Sequence, residues 1–200
     1  MTMHALSFAT RRLAFATPLL AAACLMASPA KAAFTVFGNG LAQLCSETAK
    51  NLEHGTAPPP RAIEDCTTAI EYENLPRRDL AGTYINRGII YMSRVRYAEA
   101  KRDFDSALAI APTIGEAYVN RGAALVGLRA FREAIDDIDR GLALNPDEPE
   151  KAYFNRGLAN EGLDNIPSAY RDYAHAAALK PGWELPLNEL SRFTVTNKGT

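Results

Sequence analysis

Tyr84-Ile85-Asn86-Arg87-Gly88, Tyr118-Val119-Asn120-Arg121-Gly122 and Tyr153-Phe154-Asn155-Arg156-Gly157 share one pattern, with glycines 34 and then 35 residues apart. Downstream of each glycine a second set recurs in phase: Ala100, Phe104, Ala107 and Pro112, then Ala134, Ile138, Gly141 and Pro146, then Ala169, Tyr173, Ala176 and Pro181. Self-similarity at this period marks a repeat architecture, in which one helical unit can bury its apolar face only against its neighbours. Glycine inside a helical pattern costs about 1 kcal/mol relative to alanine, so the three glycines imply close helix-helix approach. Ala100, Ala134 and Ala169 serve that contact from the partner helix, while Tyr84, Tyr118 and Tyr153, with Phe104, Ile138 and Tyr173, fill the spaces between units. Each proline ends a second helix, because it cannot continue the hydrogen-bond ladder. Thr113 with Glu116, and Asp147 with Glu150, read as capping boxes that open the next first helices.

On these residues the stretch from about 81 to 183 resembles the tetratricopeptide repeat family, whose unit is a helix-turn-helix of 34 residues. The resemblance implies an all-α solenoid of three clear units, 81–114, 115–148 and 150–183. Departures are modest: Leu125 and Asn160 stand where the first unit has Tyr91, Ile138 replaces an aromatic residue, and Gly141 replaces alanine. Asn160 and the interior Pro167 predict that the third unit is the least tightly packed. Beyond it, residues 184–200 supply a capping helix and tail, with Leu187, Leu190 and Phe193 along the last second helix. Before the array, residues 33–80 read as a degenerate hairpin: helices over Leu41 to Leu52 and Arg61 to Glu73, separated by Gly55 and Pro58 to Pro60, with Ala62, Cys66 and Ala69 at the offsets of Ala100, Phe104 and Ala107.

The 200 residues carry 22 basic and 23 acidic side chains, so no basic field points to nucleic-acid binding. Residues 1–32 have the organisation of an export signal: Arg11 and Arg12, an apolar run from Leu13 to Met26, and the small-x-small motif Ala30-Lys31-Ala32 ahead of Ala33. The run is shorter than the roughly 20 residues of a spanning helix. Cys24 weakly resembles a lipidation site, and Arg11-Arg12 partly resembles a twin-arginine signal. Without the leader, 19 basic residues face 23 acidic ones, and Cys45 and Cys66 remain, 21 residues apart on facing helices. In an oxidising compartment that pair reads as a structural disulfide. Redox chemistry would favour a closer C-x-x-C spacing.

Function is expected from the first helices, which line the concave side of such an array. Asn86, Asn120 and Asn155 recur there, and in some members of the resembled family asparagines at this place bond the backbone of an extended peptide, for which an amide both donates and accepts. Arg87, Arg121 and Arg156 are secondary candidates for carboxylate binding, but Asp103, Asp137 and Asp172 recur with them 16 residues on, which favours internal ion pairs. Ile85, Ile89, Met92, Val119, Ala123, Phe154 and Leu158 read as an apolar lining, some of it packing. After the leader only His54 and His175 remain, and no catalytic, phosphate-binding or metal-ligating motif is visible. The expectation is a non-enzymatic, cofactor-free interaction module of the bacterial periplasm with a protein or peptide partner and no nucleic acid. The alternatives are a self-associating structural component and an envelope scaffold anchored at Cys24.

Overall fold

The computed structural model describes residues 6–10, 40–52 and 55–197. Arg11, Arg12, the run from Leu13 to Met26 with Cys24, the motif at Ala30 to Ala33, and His54 lie outside the described residues. Among these residues there are nine helices and one strand pair: β1 (Leu6–Thr10), α1 (Leu41–Leu52), α2 (Ala62–Tyr72), α3 (Arg77–Ser93), α4 (Tyr97–Ile110), α5 (Gly115–Gly127), α6 (Phe131–Ala143), α7 (Pro149–Gly162), α8 (Ile166–Leu179), α9 (Glu184–Ser191) and β2 (Phe193–Asn197). Consecutive pairs α3–α4, α5–α6 and α7–α8 pack as hairpins and stack on one another, so the core runs along the stack. No described helix is long and apolar enough to cross a membrane.

The glycines are needed inside each hairpin. A Cβ on Gly88 would lie 2.6 Å from the Phe104 ring, on Gly122 2.5 Å from Ile138 Cγ1, and on Gly157 2.6 Å from the Tyr173 ring. Phe104, Ile138 and Tyr173 therefore seat on the glycine of their own unit, which corrects their assignment to the spaces between units. A second set joins the units: the Tyr97 ring lies against Gly127 and the Phe131 ring against Gly162, each 2.5–2.6 Å from where a Cβ would stand. One ring thus reaches from the start of a second helix to the end of the next unit's first helix.

Several local expectations fail for identifiable reasons. The helices begin one residue later than the capping boxes require, with Ile114 and Glu148 as N-caps and no side-chain cap bond. Glu116 instead accepts the Asp147 N–H at the entry to the next unit, and Glu150 accepts from Lys180. Pro167 lies in the first turn of α8, where the absent N–H has no ladder partner to lose. Asn160 donates to Asp172 at 2.9 Å and accepts from Asn165, so the third unit is well tied. In α9 Leu187 is exposed, while Leu185 and Leu190 pack on the core and Trp183 lies 5.1 Å from Phe154. Phe193 falls beyond the helix, against Tyr170 and Tyr173, where β2 pairs antiparallel with β1.

The N-terminal hairpin is closed differently. Cys45 and Cys66 form a disulfide across α1 and α2, with Cα atoms 5.1 Å apart, buried with Ala62 and Ile90. The Leu41 and Ala42 N–H groups donate to the Glu73 carboxylate, which caps α1 from the end of α2. A crosslink over 21 residues restrains the unfolded chain by about 3 kcal/mol.

Two predictions follow from this packing. Denaturant unfolding of Cys45→Ser/Cys66→Ser should show a loss of about 3 kcal/mol; an unchanged midpoint would contradict the role given to the bridge. Val95, exposed, β-branched and at φ 61° in the α3–α4 turn, is in the left-handed region that costs L-residues roughly 1–2 kcal/mol. Val95→Gly should therefore raise stability by about 0.5–1 kcal/mol once the extra freedom of glycine in the unfolded chain is subtracted.

Candidate interaction site

Helical geometry divides the Asn-Arg-Gly triplet among three directions. Successive residues turn by about 100°, so the asparagine points roughly 200° from the glycine that seats the second helix, and the arginine points between them. The arginine is aimed at the second helices.

Each arginine bridges two of them. Arg121 donates from Nε and Nη2 to both carboxylate oxygens of Asp137 in its own unit, at 2.6 and 2.7 Å, and from Nη1 to Asp105 of the preceding unit at 2.7 Å. Arg156 repeats the arrangement with Asp172 and Asp139, and Arg87 with Asp103 and the Thr67 hydroxyl. The guanidinium groups also lie 5.1–5.5 Å from the centroids of Tyr153, Tyr118 and Tyr84 in their own pentapeptides. Side-chain exposure of the arginines is only 14–24%, which strengthens these bonds relative to surface pairs.

Electrostatics agree with geometry. The bonds to Asp137 and Asp172 hold the protons of Arg121 and Arg156 more firmly than on a free guanidinium, against the opposing effect of burial. Burial is the largest single influence on the Arg87 charge and works against it, and the Asp103 bond and charge, with Tyr91 and Tyr84, together outweigh it. Burial pushes the Asp103 carboxyl above the usual carboxylate range, with Arg87 opposing. The ion-pair reading of the arginine row is what the structure contains. The preceding-unit acceptor is an addition: Thr67, Asp105 and Asp139 stand 38 and 34 residues apart at equivalent places, and Ala174 takes that place in the last unit, which no arginine-bearing unit follows.

The asparagines behave differently. Asn86, Asn120 and Asn155 are 0%, 1% and 2% exposed, which corrects their expected place on an exposed face. Asn120 Nδ2 and Asn155 Oδ1 are buried without a hydrogen-bond partner among the described residues. An unsatisfied buried polar group costs about 1–3 kcal/mol. The seven expected lining residues are buried as well: Ile85, Ile89, Met92, Ala123, Phe154 and Leu158 belong to the main core, and Val119 packs with Ile138 and Ala152. They are packing residues in this state of the chain.

On the second-helix side two open clefts expose the arginine bridges. The first, about 330 Å³, is lined by Lys101, Arg121, Leu125, Glu133, Asp136 and Asp137. The second, about 420 Å³, includes Tyr153, Arg156, Asn160, Ser168, Arg171 and His175. Neither assembles a nucleophile with a base. Ser168 and His175 are seven residues apart on α8, about 10 Å along the axis, Ser168 Oγ accepts from Arg171, and His175 lies on the Tyr153 ring. Among the described residues no cluster of His, Cys, Asp and Glu could hold a metal.

No family model and no curated protein matches the chain. Solved structures do. The first tetratricopeptide domain of human RPAP3 is 28% identical, covering 57% of this chain and 90% of that one at a TM-score of 0.54. The first such domain of Spaghetti (RPAP3), bound to the HSP90 peptide SRMEEVD, is 28% identical, covering 56% and 88% at 0.52. A MamA RS-1 double mutant is 21% identical, covering 78% and 83% at 0.59, and shares the fold. By its repeat and its helical architecture, the chain has the tetratricopeptide-repeat fold.

Removing one partner of a bridge leaves the other charge partly buried and unpaired. Asp137→Ala should lower stability by about 2 kcal/mol, and Arg121→Met on that background should cost much less than in the wild type. Additive losses in a double-mutant cycle would show that the pair is not coupled.

Proposed function

We propose that the chain is a non-catalytic adaptor of the bacterial cell envelope that holds an extended segment of a partner protein along its first helices. Asn120 and Asn155 carry the reading: one presents an unsatisfied amide donor and the other an unsatisfied acceptor at the same place in successive units. A peptide backbone offers the complementary carbonyl and N–H. The domain of Spaghetti that resembles this chain holds a peptide, as does the second RPAP3 domain with the HSP70 peptide SGPTIEEVD, which supports the same use here. Export rests on the leader pattern of residues 1–32 and on a disulfide suited to an oxidising compartment. Self-assembly by end-to-end stacking is disfavoured, because Ala174 offers no acceptor for another unit's arginine and α9 packs over the last hairpin.

A residue retained for ligand rather than for folding has a distinctive signature. Asn120→Ala and Asn155→Ala should change stability by no more than about 0.5 kcal/mol, or raise it, because no internal bond is lost. The same variants should lose a partner protein that the wild type captures from the native envelope. Destabilisation of about 1–3 kcal/mol with unchanged capture would make the asparagines structural and overturn the reading.

A further inference from the structure

Among the described residues β2 (Phe193–Asn197) has one strand partner, β1 (Leu6–Thr10), and all five of its residues are in register with it, from Phe193 opposite Thr10 to Asn197 opposite Leu6. β1 lies inside residues 1–32, the segment read above as an export leader. Its main packing is against β2 and not against a helix. Removal of the leader therefore leaves the stack of hairpins in place and strips β2 of its partner.

β2 is held at the end of the array without β1. The Phe193 ring centroid lies 5.9 Å from that of Tyr170 and 6.1 Å from that of Tyr173, and α9 runs almost directly into the strand. A strand that loses its partner presents a row of unpaired N–H and C=O groups. Such an edge takes up another strand unless charge, proline or a bulge blunts it. Phe193-Thr194-Val195-Thr196-Asn197 has no charge and no proline, and its aromatic and β-branched residues favour extended pairing.

We propose that, once the leader is removed, β2 pairs with β2 of a second copy of this chain, joining two chains in an antiparallel two-fold dimer. This rests on the export reading given above and adds the surface that the cleavage opens. The place left by β1 accepts an antiparallel strand of five residues in full register. A second β2 matches it in length and direction, and sets Val195 opposite Val195, Thr194 opposite Thr196 and Phe193 opposite Asn197. Pairs of β-branched residues and Thr–Thr pairs stabilise an antiparallel ladder. A two-fold contact of this kind uses the same surface on both copies and closes on itself, so assembly stops at two chains. The pairing involves strands alone, and needs no arginine acceptor at Ala174.

The test uses the chain exported and recovered from the envelope, with its mass locating the N-terminus and light scattering its oligomeric state. After loss of the leader, Cys45 and Cys66 are bonded to each other, so Val195→Cys and Thr194→Cys each introduce a free thiol. Opposed residues of an antiparallel pair have Cα atoms about 4.5–5.5 Å apart, within reach of a disulfide. Val195 is opposed to itself, whereas the two Thr194 residues stand roughly 8 Å apart. The expected result is twice the monomer mass for the leaderless wild type. Val195→Cys should crosslink between copies at least tenfold faster than Thr194→Cys, and a chain ending at Phe193 should be monomeric. A monomeric leaderless wild type, equal crosslinking at both positions, or a dimer that survives the truncation would overturn the proposal. A different protein held by β2 and lost on truncation would overturn self-pairing and assign the edge to that partner. A dimer-free chain that retains residues 1–32 would overturn it too, and would trace the failure to the export reading.

Discussion

An arginine at the centre of each unit holds together two helices that do not belong to the same hairpin. Arg121 grips Asp137 with two donors and reaches Asp105 with a third, so its planar fork fixes the position of one second helix relative to the one before it. Hydrophobic burial alone is non-directional and would tolerate sliding of one hairpin over another. The bridge forbids sliding because a shift of a few ångströms breaks three charge-assisted bonds in a partly buried site. Glycine-ring contacts complete the constraint: Phe104, Ile138 and Tyr173 set the spacing within units, and Tyr97 and Phe131 set it between them.

The first unit meets the same demands with fewer repeats to draw on. Thr67 replaces the carboxylate that would receive the next arginine, giving a neutral acceptor to Arg87. The disulfide and the Glu73 cap then supply locally what a preceding unit would have supplied by stacking. At the other end the acceptor position becomes Ala174, and α9 with Trp183 and Phe193 covers the last hairpin through ring contacts. The two ends are built as ends.

Much of this was legible in the chain, for a physical reason: a repeat imposes the same packing several times, and recurrence exposes it. Helix α1 over Leu41–Leu52, the cysteine pair and the partnership of Arg87, Arg121 and Arg156 with aspartates 16 residues on could all be read from spacing. What escaped depends on three-dimensional approach. Tyr97 meets Gly127 and Phe131 meets Gly162 across a unit boundary, at a distance in sequence that no local pattern signals. The capping boxes failed because a one-residue change in where a helix begins removes the geometry on which they depend. The asparagines were expected on the exposed face of the first helices, and the sequence could not show that they are enclosed.

The triplet thus separates labour by direction: glycine for the hairpin and arginine for the stack. The claim that most depends on measurement is that the arginine bridges make the units one cooperative body. Native-state hydrogen exchange on the wild type and on Arg121→Met tests it directly. In the wild type the slowest amides of α3 to α8 should exchange through a single common opening, and in the variant the α3–α4 hairpin should open at a lower free energy than α7–α8. A wild type whose hairpins already open independently, or a variant that still opens as one body, would contradict the account.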